Sequence, residues 1–158
     1  MIKDFESYSQ VKSKRVDAAG IAVVLQNGEE PMVLLVHPTG ASWQEARMGI
    51  PKGKIEHGES IIDAAIRETF EETGILISPS QLEQGIETAE VWKGPKFGYN
   101  IHYLVCKIKD LSEIGLTDIR VPKTQLQEKE VDWAGFVKIS EAYPRVVNSQ
   151  RIILDRLR

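Results

Sequence analysis

The chain has 158 residues, of which 42% are hydrophobic and 27% are charged, and its formal net charge at pH 7 is −3. This length predicts one domain over residues 1–158, and the balanced composition argues against disorder, collagen-like repeats and coiled coil. The acidic balance disfavours binding to nucleic acid through phosphate neutralisation. The single cysteine, Cys106, excludes an internal disulfide and a cysteine-based zinc site, so a reducing, cytoplasmic location is expected.

Neither an export signal nor a membrane span is predicted. Residues 1–15 are polar and mix acidic with basic side chains, so they lack the apolar stretch of a secretory signal. The longest apolar runs, 18–25 and 32–36, are much shorter than the ~20 residues that cross a bilayer. We therefore expect a protein that does not associate with membranes.

The first predicted elements are two strands joined as a hairpin. Residues 18–26 and 31–37 are β-branched apolar runs, and the intervening Asn27-Gly28 pair is a strong hairpin signal because both residues tolerate positive φ. Residues 37–53 are rich in Gly and Pro and predict a long loop with one short strand at 48–50. Long loops inside compact domains are often functional.

A helix is predicted over residues 59–73, which contain no Gly or Pro, and Gly74 is placed to end it. Apolar or small side chains recur in this segment at helical spacing, and we expect them to face the core. These residues are Ile62, Ala65, Ile66, Thr69 and Phe70.

The C-terminal half predicts a second hairpin, a polar loop, a strand and a final helix. The hairpin strands are 86–92 and 99–108, the loop is 109–130 and the strand is 131–139. Asn148 or Ser149 can cap the last helix, 149–158, whose apolar face comprises Ile152, Ile153 and Leu157. No repeat or linker divides the chain.

Three carboxylates of the predicted helix, Glu68, Glu71 and Glu72, lie within an arc of about 100° on a helical wheel. One interpretation is a solvated face opposite the apolar stripe. The other is a site for a hard divalent cation, Mg²⁺ or Mn²⁺, which prefers oxygen ligands. Two features favour the cation site. No lysine is interspersed among the glutamates, and the preceding segment 51–54 can bring backbone groups close to a phosphate.

The segment from Gly53 to Ile75 resembles the Nudix box, G-x5-E-x7-R-E-U-x-E-E-x-G-U, in which U is a bulky aliphatic residue. All seven fixed residues agree, namely Gly53, Glu59, Arg67, Glu68, Glu71, Glu72 and Gly74. Thr69 departs from the pattern, because the family prefers an aliphatic residue there. The resemblance covers the box closely and the rest of the chain through the order of its elements.

The resemblance implies the Nudix fold, an α+β arrangement with a mixed β-sheet in an α/β/α sandwich and the box as loop, helix and loop. It also implies a hydrolase that cleaves P–O–P linkages in nucleoside diphosphate-linked compounds by attack of metal-activated water, using one to three Mg²⁺ or Mn²⁺ ions. By position, Glu68, Glu71, Glu72 and the backbone carbonyl of Lys52 correspond to metal ligands. Glu68 is alternatively a base that orients water.

Other roles follow from the same resemblance. Arg67 is expected to pair with the acids and orient them, since a guanidinium can bind a carboxylate through two hydrogen bonds. Glu59, Gly53 and Gly74 are expected to be structural, with Glu59 at the helix N-terminus. A carboxylate outside the box often serves as the base in this family. Glu128 is the preferred candidate here and Glu130 the second, and the alternative is that both lie in a solvated loop.

The Pro51-Lys52-Gly53 sequence resembles the variant found in members that cleave diadenosine or diphosphoinositol polyphosphates. Lys52 and Lys54 would attract a phosphate chain, while Trp92 and Tyr99 could contact a base; Trp92 could instead be a packed aromatic. The expected substrate is a dinucleoside polyphosphate, with a nucleoside triphosphate or ADP-ribose as alternatives.

A catalytically silent nucleotide- or RNA-binding module is the non-enzyme alternative. The expected assembly is a monomer or homodimer that takes a small-molecule nucleotide. The remaining candidates, His37, His57, His102, Cys106 and Trp133, are isolated in sequence and are expected to be structural.

Overall fold

A computed structural model describes residues 14–157. Its strands are β1 (Lys14–Leu25), β2 (Met32–Pro38), β3 (Lys52–Lys54), β4 (Glu87–Gly94), β5 (Phe97–Ile108) and β6 (Val131–Lys138). Its α-helices are α1 (Ile61–Thr73), α2 (Ile139–Ala142) and α3 (Asn148–Arg156). Single turns of 3-10 helix lie at Pro79–Gln81, Leu111–Ile114, Lys123–Gln125 and Tyr143–Arg145.

The strands of residues 14–157 form one six-stranded mixed sheet in the order β4-β5-β1-β2-β6, with β3 also paired to β1. β1 and β5 are parallel along their full length, from Lys14 opposite Phe97 to Leu25 opposite Ile108. The other pairs are antiparallel. Both predicted hairpins are therefore present, and the expectation of a mixed sheet is confirmed.

Alternation along β1 distributes side chains between two cores. Ile21 and Val23 belong to the core beneath α1, whereas Ala22 and Val24 belong to the core that contains Ile153 and Leu154 of α3. Successive residues of a strand point to opposite faces, so an unbroken apolar run such as β1 is the pattern of a strand covered on both sides. The α/β/α sandwich is confirmed.

Defined caps set the ends of α1. Ser60 is the N-cap, and its side chain accepts a hydrogen bond from the Asp63 N–H at 3.0 Å. Gly74 ends the helix in the left-handed region with φ of 71°, and its N–H donates to the Phe70 carbonyl. A Cβ at Gly74 would lie 2.7 Å from Cβ of Gln125, so glycine is required for space as well as for conformation.

The face of α1 that packs on the sheet agrees only in part with the predicted apolar stripe, because Ala65, Ile66 and Thr69 face the core but two other members do not. Its buried residues are Ala64, Ala65, Thr69 and Thr73. Ile62 and Phe70 are 40% and 50% exposed, so the prediction that they face the core is wrong. Small side chains let the helix approach the sheet closely. Residues three and four apart share a face, so Glu68 lies with Ala64 and Ala65, on the packed side.

Two turn predictions also differ from the structure. Neither Asn27 nor Gly28 has a positive φ, because the first cross-strand pair, Leu25 opposite Met32, leaves a six-residue connection that does not need a tight turn. Met48 and Gly49 form only isolated bridges, to Val146 and Val36. The short strand lies instead at β3, where the box begins.

The last helix is capped and packed differently from the prediction. Val147 occupies the N-cap without a side-chain hydrogen bond, so neither Asn148 nor Ser149 caps the helix. Ile152 is 57% exposed, whereas Gln150 is buried. Burial of this polar side chain is satisfied because its Oε1 accepts the Ile50 N–H at 3.0 Å and its Nε2 lies 3.0 Å from the Tyr103 hydroxyl.

Within residues 14–157, no helix is both long enough and apolar enough to span a bilayer. The segment 1–13, on which the expectation about export chiefly rests, lies outside the described residues.

Candidate active site

Arg67 is the centre of the hydrogen-bond network of the box. Its Nε and Nη2 donate to the two carboxylate oxygens of Glu59 at 2.8 and 2.9 Å, and Nη2 also donates to the Lys54 carbonyl at 3.0 Å. Its Nη1 donates to Glu68 at 2.8 Å and to Glu71 at 3.2 Å. The Glu59 and Glu68 carboxylates raise the pKa of Arg67 further above its usual value. The expected pairing of Arg67 with the acids is observed.

Glu59 joins the segment before α1 to this network. It accepts the Glu56 N–H at 3.0 Å in addition to the two Arg67 bonds, and these bonds lower the pKa of its carboxyl. The Arg67 side chain thus connects the loop at 54–59 to the middle of α1 by hydrogen bonds.

We expect Arg67→Lys to destabilise the protein by about 2 kcal/mol, because an ammonium cannot reproduce the two-pronged bond to Glu59 or reach the Lys54 carbonyl simultaneously. Thermal unfolding would measure the loss. Arg156→Lys is the matched control, since Arg156 pairs with Glu87 at the surface with 57% of its side chain exposed. An equal loss in both variants would contradict the assigned role of Arg67.

The carboxylate of Glu68 occupies the space that Gly53 leaves open. A Cβ at Gly53 would lie 2.1 Å from the carboxyl carbon of Glu68. Any larger residue would have to displace this carboxylate, and glycine allows it to lie against the backbone of β3.

We expect Gly53→Ala to reduce turnover by more than tenfold, because the added methyl displaces the Glu68 carboxylate by the ~1 Å or more that matters for a catalytic group. Steady-state kinetics would measure this. Gly28→Ala is the control, since no atom lies within 4 Å of a Cβ added there. Full activity in Gly53→Ala would show that the position of Glu68 is unimportant.

Glu72 is an acidic group held in an environment that disfavours its charge. Its Oε2 accepts the Lys52 N–H at 3.0 Å. Desolvation and the charge of Glu68 raise the pKa of Glu72 to about 8. Desolvation and the charges of Glu71 and Glu130 likewise raise the pKa of Glu68. The box thus concentrates negative charge that a cation would neutralise.

The two candidate bases differ in their electrostatic relation to the box. The charge of Glu130 contributes to the raised pKa values of both Glu68 and Glu72. Glu128 lines a separate cavity with Lys123 and Asp132. The sequence analysis gave Glu128 as the preferred candidate for the general base. The electrostatics of the box favour Glu130 for that role. Residues Glu128 to Glu130 lie just before β6, and Thr39 fixes them by donating from its hydroxyl and its N–H to the Glu128 and Glu130 carbonyls.

A cavity of about 300 Å³ adjoins the box on the α3 side of the sheet. Its cationic side chains are Arg47, Lys52 and Lys93, and Glu72 is its box carboxylate. Val91, Tyr99 and Ile101 of β4 and β5 form its apolar wall. An elongated anion with an aromatic or apolar end group matches this lining.

The cavity contains only some of the predicted substrate contacts. Lys52 and Tyr99 line it. Trp92 lies on the opposite face of the sheet, because it alternates with Val91 and Lys93, and its ring is 4.1 Å from the Arg15 guanidinium. Trp92 therefore cannot contact a ligand in this cavity. Lys54 contributes its carbonyl to Arg67 and is not among the lining residues.

His37, which is isolated in sequence and was expected to be structural, is packed in an aromatic cluster at the end of β2. It stacks on Trp43 with ring centroids 3.5 Å apart and an interplanar angle of 1°. Its Nδ1 lies 2.6 Å from Asp132, which accepts the proton of that nitrogen. Residues 95 positions apart meet here through β2 and β6, and no local sequence pattern could have shown this.

The donors of the box fit a hard divalent cation by their chemistry, since the carboxylates of Glu68, Glu71 and Glu72 and the Lys52 carbonyl are all oxygen ligands. Among residues 14–157, however, no three acidic, histidine or cysteine side chains converge as a preformed metal site. Glu68 and Glu71 are instead drawn to Arg67. A bound cation would therefore compete with Arg67 for these two side chains.

The fold and the box define the class of protein. Solved structures with this fold include an Ap4A hydrolase from Caenorhabditis elegans, with a TM-score of 0.65 and 20% identity, covering 90% of this chain and 94% of that one. A MutT NUDIX hydrolase from Burkholderia pseudomallei matches with a TM-score of 0.66 and 17% identity, covering 92% of this chain and 100% of that one. At these identities the likeness shows a shared fold.

The family follows from the sequence of nearly the whole chain. The NUDIX domain family matches residues 14–157. The chain belongs to the Nudix hydrolase family. A curated relative, m7GpppN-mRNA hydrolase NUDT17 from Danio rerio, is 32% identical over 74 residues. That match covers 47% of this chain and only 24% of the relative's length.

Proposed function

We propose that this protein hydrolyses dinucleoside polyphosphates at a P–O–P linkage with the help of Mg²⁺ or Mn²⁺. The observation that carries the proposal is the cavity in which Arg47, Lys52 and Lys93 lie together and which ends at Glu72 of the box. Three cations beside one carboxylate suit a chain of several phosphates better than a single phosphate group, because the attraction grows with the charge near them.

The names of two relatives support this class of substrate. The solved structure from Caenorhabditis elegans is of an Ap4A hydrolase, and the relative from Danio rerio is named an m7GpppN-mRNA hydrolase. Both names refer to two nucleosides joined through phosphates. That shared chemistry favours a dinucleoside polyphosphate over ADP-ribose or a nucleoside triphosphate as the substrate of this chain.

Glu68, Glu71, Glu72 and the Lys52 carbonyl would hold the cation. When bound, a divalent cation supplies neutralisation of the phosphate oxygens and lowers the pKa of coordinated water. Arg67 keeps the box carboxylates oriented, and a bound cation would share Glu68 and Glu71 with it. The number of ions, one to three, is part of this proposal.

The remaining side chains bind the phosphate chain, accept a proton or exclude water. Arg47, Lys52 and Lys93 hold the phosphate chain in extended form across the cavity. Glu130 lies near enough to Glu68 and Glu72 to influence both, so we assign to its carboxylate the removal of a proton from the attacking water. Tyr99 and Val91 exclude water from one side of the chain.

The test is a comparison of substrates with the purified protein. Diadenosine tetraphosphate, m7GpppG, ADP-ribose, ATP and a diphosphoinositol polyphosphate are assayed separately for product release with Mg²⁺ and with EDTA. We expect kcat/KM to be highest for a dinucleoside polyphosphate and activity to vanish with EDTA. A preference for ADP-ribose or ATP would overturn the substrate class. No turnover of any compound would favour a binding module.

A further inference from the structure

The exposed indole of Trp43 is held in a fixed orientation from beneath. Trp43 lies in the loop between β2 and β3, and 60% of its surface is exposed. One of its faces stacks on His37, and Trp133 meets it edge-on with centroids 6.4 Å apart. We call these three rings the Trp43 platform. Single exposed apolar side chains are common, but most of them are not immobilised by two aromatic partners.

The ring beneath Trp43 is the buried side chain of His37. His37 is fully buried, and its Nδ1 is fixed by Asp132 at 2.6 Å. Its Nε2 is buried without a hydrogen-bond partner among the described residues. The bond to Asp132 fixes the plane of the His37 ring and therefore the surface on which Trp43 stacks.

The segment that carries Trp43 borders the cationic cavity at two residues. Pro38, the residue after His37, lines the cavity, and so does Arg47 at the far end of the same loop. The loop is fixed near Glu130, because the Thr39 N–H donates to the Glu130 carbonyl at 2.9 Å. Both ends of the segment that carries Trp43 therefore contact the cavity that we propose binds the phosphate chain.

We propose that the Trp43 platform is a nucleobase-binding subsite, in which one base of the substrate stacks on the exposed face of Trp43. The proposal rests on the proposed function for the identity of the ligand. A planar base is the chemistry that a flat, immobilised and solvent-facing indole recognises, since base-aromatic stacking contributes about 1–3 kcal/mol. Because the ring is already ordered, little side-chain entropy is lost on binding.

Trp92 provides a matched control, since it is also exposed, at 50%, but lies on the other face of the sheet. We expect Trp43→Ala to raise KM for diadenosine tetraphosphate about 5- to 100-fold with kcat within twofold of wild type, following the stacking energy above. Inhibition by inorganic tripolyphosphate should not change, because it has no base. Trp92→Ala should behave as wild type. An unchanged KM in Trp43→Ala, or an equal change in Trp92→Ala, overturns the proposal.

A binding measurement separates this inference from the proposed function. Diadenosine tetraphosphate is titrated in EDTA, without turnover, while tryptophan fluorescence is recorded. We expect quenching in wild type and in Trp92→Phe, and its loss in Trp43→Phe. Quenching that survives in Trp43→Phe, or none in wild type, contradicts the platform. Normal quenching without hydrolysis in Mg²⁺ would contradict the proposed activity and leave the subsite standing.

Discussion

Glu72→Gln is expected to abolish most turnover and at the same time to stabilise the metal-free protein. The amide cannot supply the anionic oxygen that a divalent cation needs, and a loss of several kcal/mol of transition-state stabilisation corresponds to about 10³-fold in kcat. Glutamine can still accept the Lys52 N–H, so the local fold is preserved. Initial rates with saturating Mg²⁺ would measure the effect.

The gain in stability has a defined pH dependence. Desolvation and the charge of Glu68 raise the pKa of Glu72 to about 8 in the folded protein, well above its ordinary value of 4.5. The folded state therefore binds more protons than the unfolded state between these values, so wild-type stability falls as pH rises from about 4.5 to about 8. Glu72→Gln lacks this loss. We expect it to be more stable than wild type at pH 8, by about 1–2 kcal/mol, and no more stable at pH 4.

Glu71→Gln is the control for stability. Glu71 is 44% exposed and accepts a hydrogen bond from Arg67, so its replacement removes a favourable contact and should not stabilise the protein. The measurement is thermal unfolding in EDTA from pH 4 to pH 8. If Glu72→Gln unfolds at the wild-type temperature throughout that range, the charge on Glu72 is not unfavourable in the folded state.

Glu130→Gln is expected to lower kcat by about 10²- to 10⁴-fold, the usual contribution of a general base. It should also flatten the acidic limb of the pH–rate profile, while the affinity for Mg²⁺ changes little. The reason is electrostatic proximity: the Glu130 charge reaches both Glu68 and Glu72. A pH–rate profile and a Mg²⁺ titration of activity would separate the base from a metal ligand.

Glu128→Gln is the matched control, two residues away in the same segment. Its side chain lines a different cavity, and the bond from Thr39 goes to its backbone carbonyl, which the substitution leaves intact. We expect nearly full activity. If Glu128→Gln lost activity and Glu130→Gln kept it, Glu128 would be the general base, as the sequence analysis expected.

The elements were predictable where local signals and burial agree. β1, β2, β5 and β6 are runs of β-branched and apolar residues, and such runs identify strands covered on both faces. Ser60 and Gly74 set the ends of α1 through short-range hydrogen bonds and a positive φ, which depend on residues close in sequence. These features explain why the strands and the box helix followed from local sequence patterns, whereas the mixed sheet was implied by the resemblance to the Nudix family.

The orientation of α1 was predictable from hydrophobicity only in part. Ala65 and Thr69 of the predicted stripe are buried and Ile66 packs against the same core, whereas Ile62 and Phe70 are exposed. Close approach of the helix to β3 requires small side chains. The hydrogen bonds of Arg67 to its carboxylate partners also orient the helix, and a hydrophobic pattern gives no information about them. Glu68 and Glu72 consequently lie against the sheet.

The sequence by itself determined the contacts within the box, because Gly53, Glu59, Arg67 and Glu68 meet over a short stretch of chain and α1 fixes the spacing of Arg67 and Glu68. Only the tertiary structure decided which distant groups join them. It put the charge of Glu130 within electrostatic reach of Glu68 and Glu72, placed Trp92 on the other face of the sheet, and brought Trp43 onto His37. These outcomes depend on strand register and on which face of a strand each side chain occupies, and a shift of one residue would reverse them.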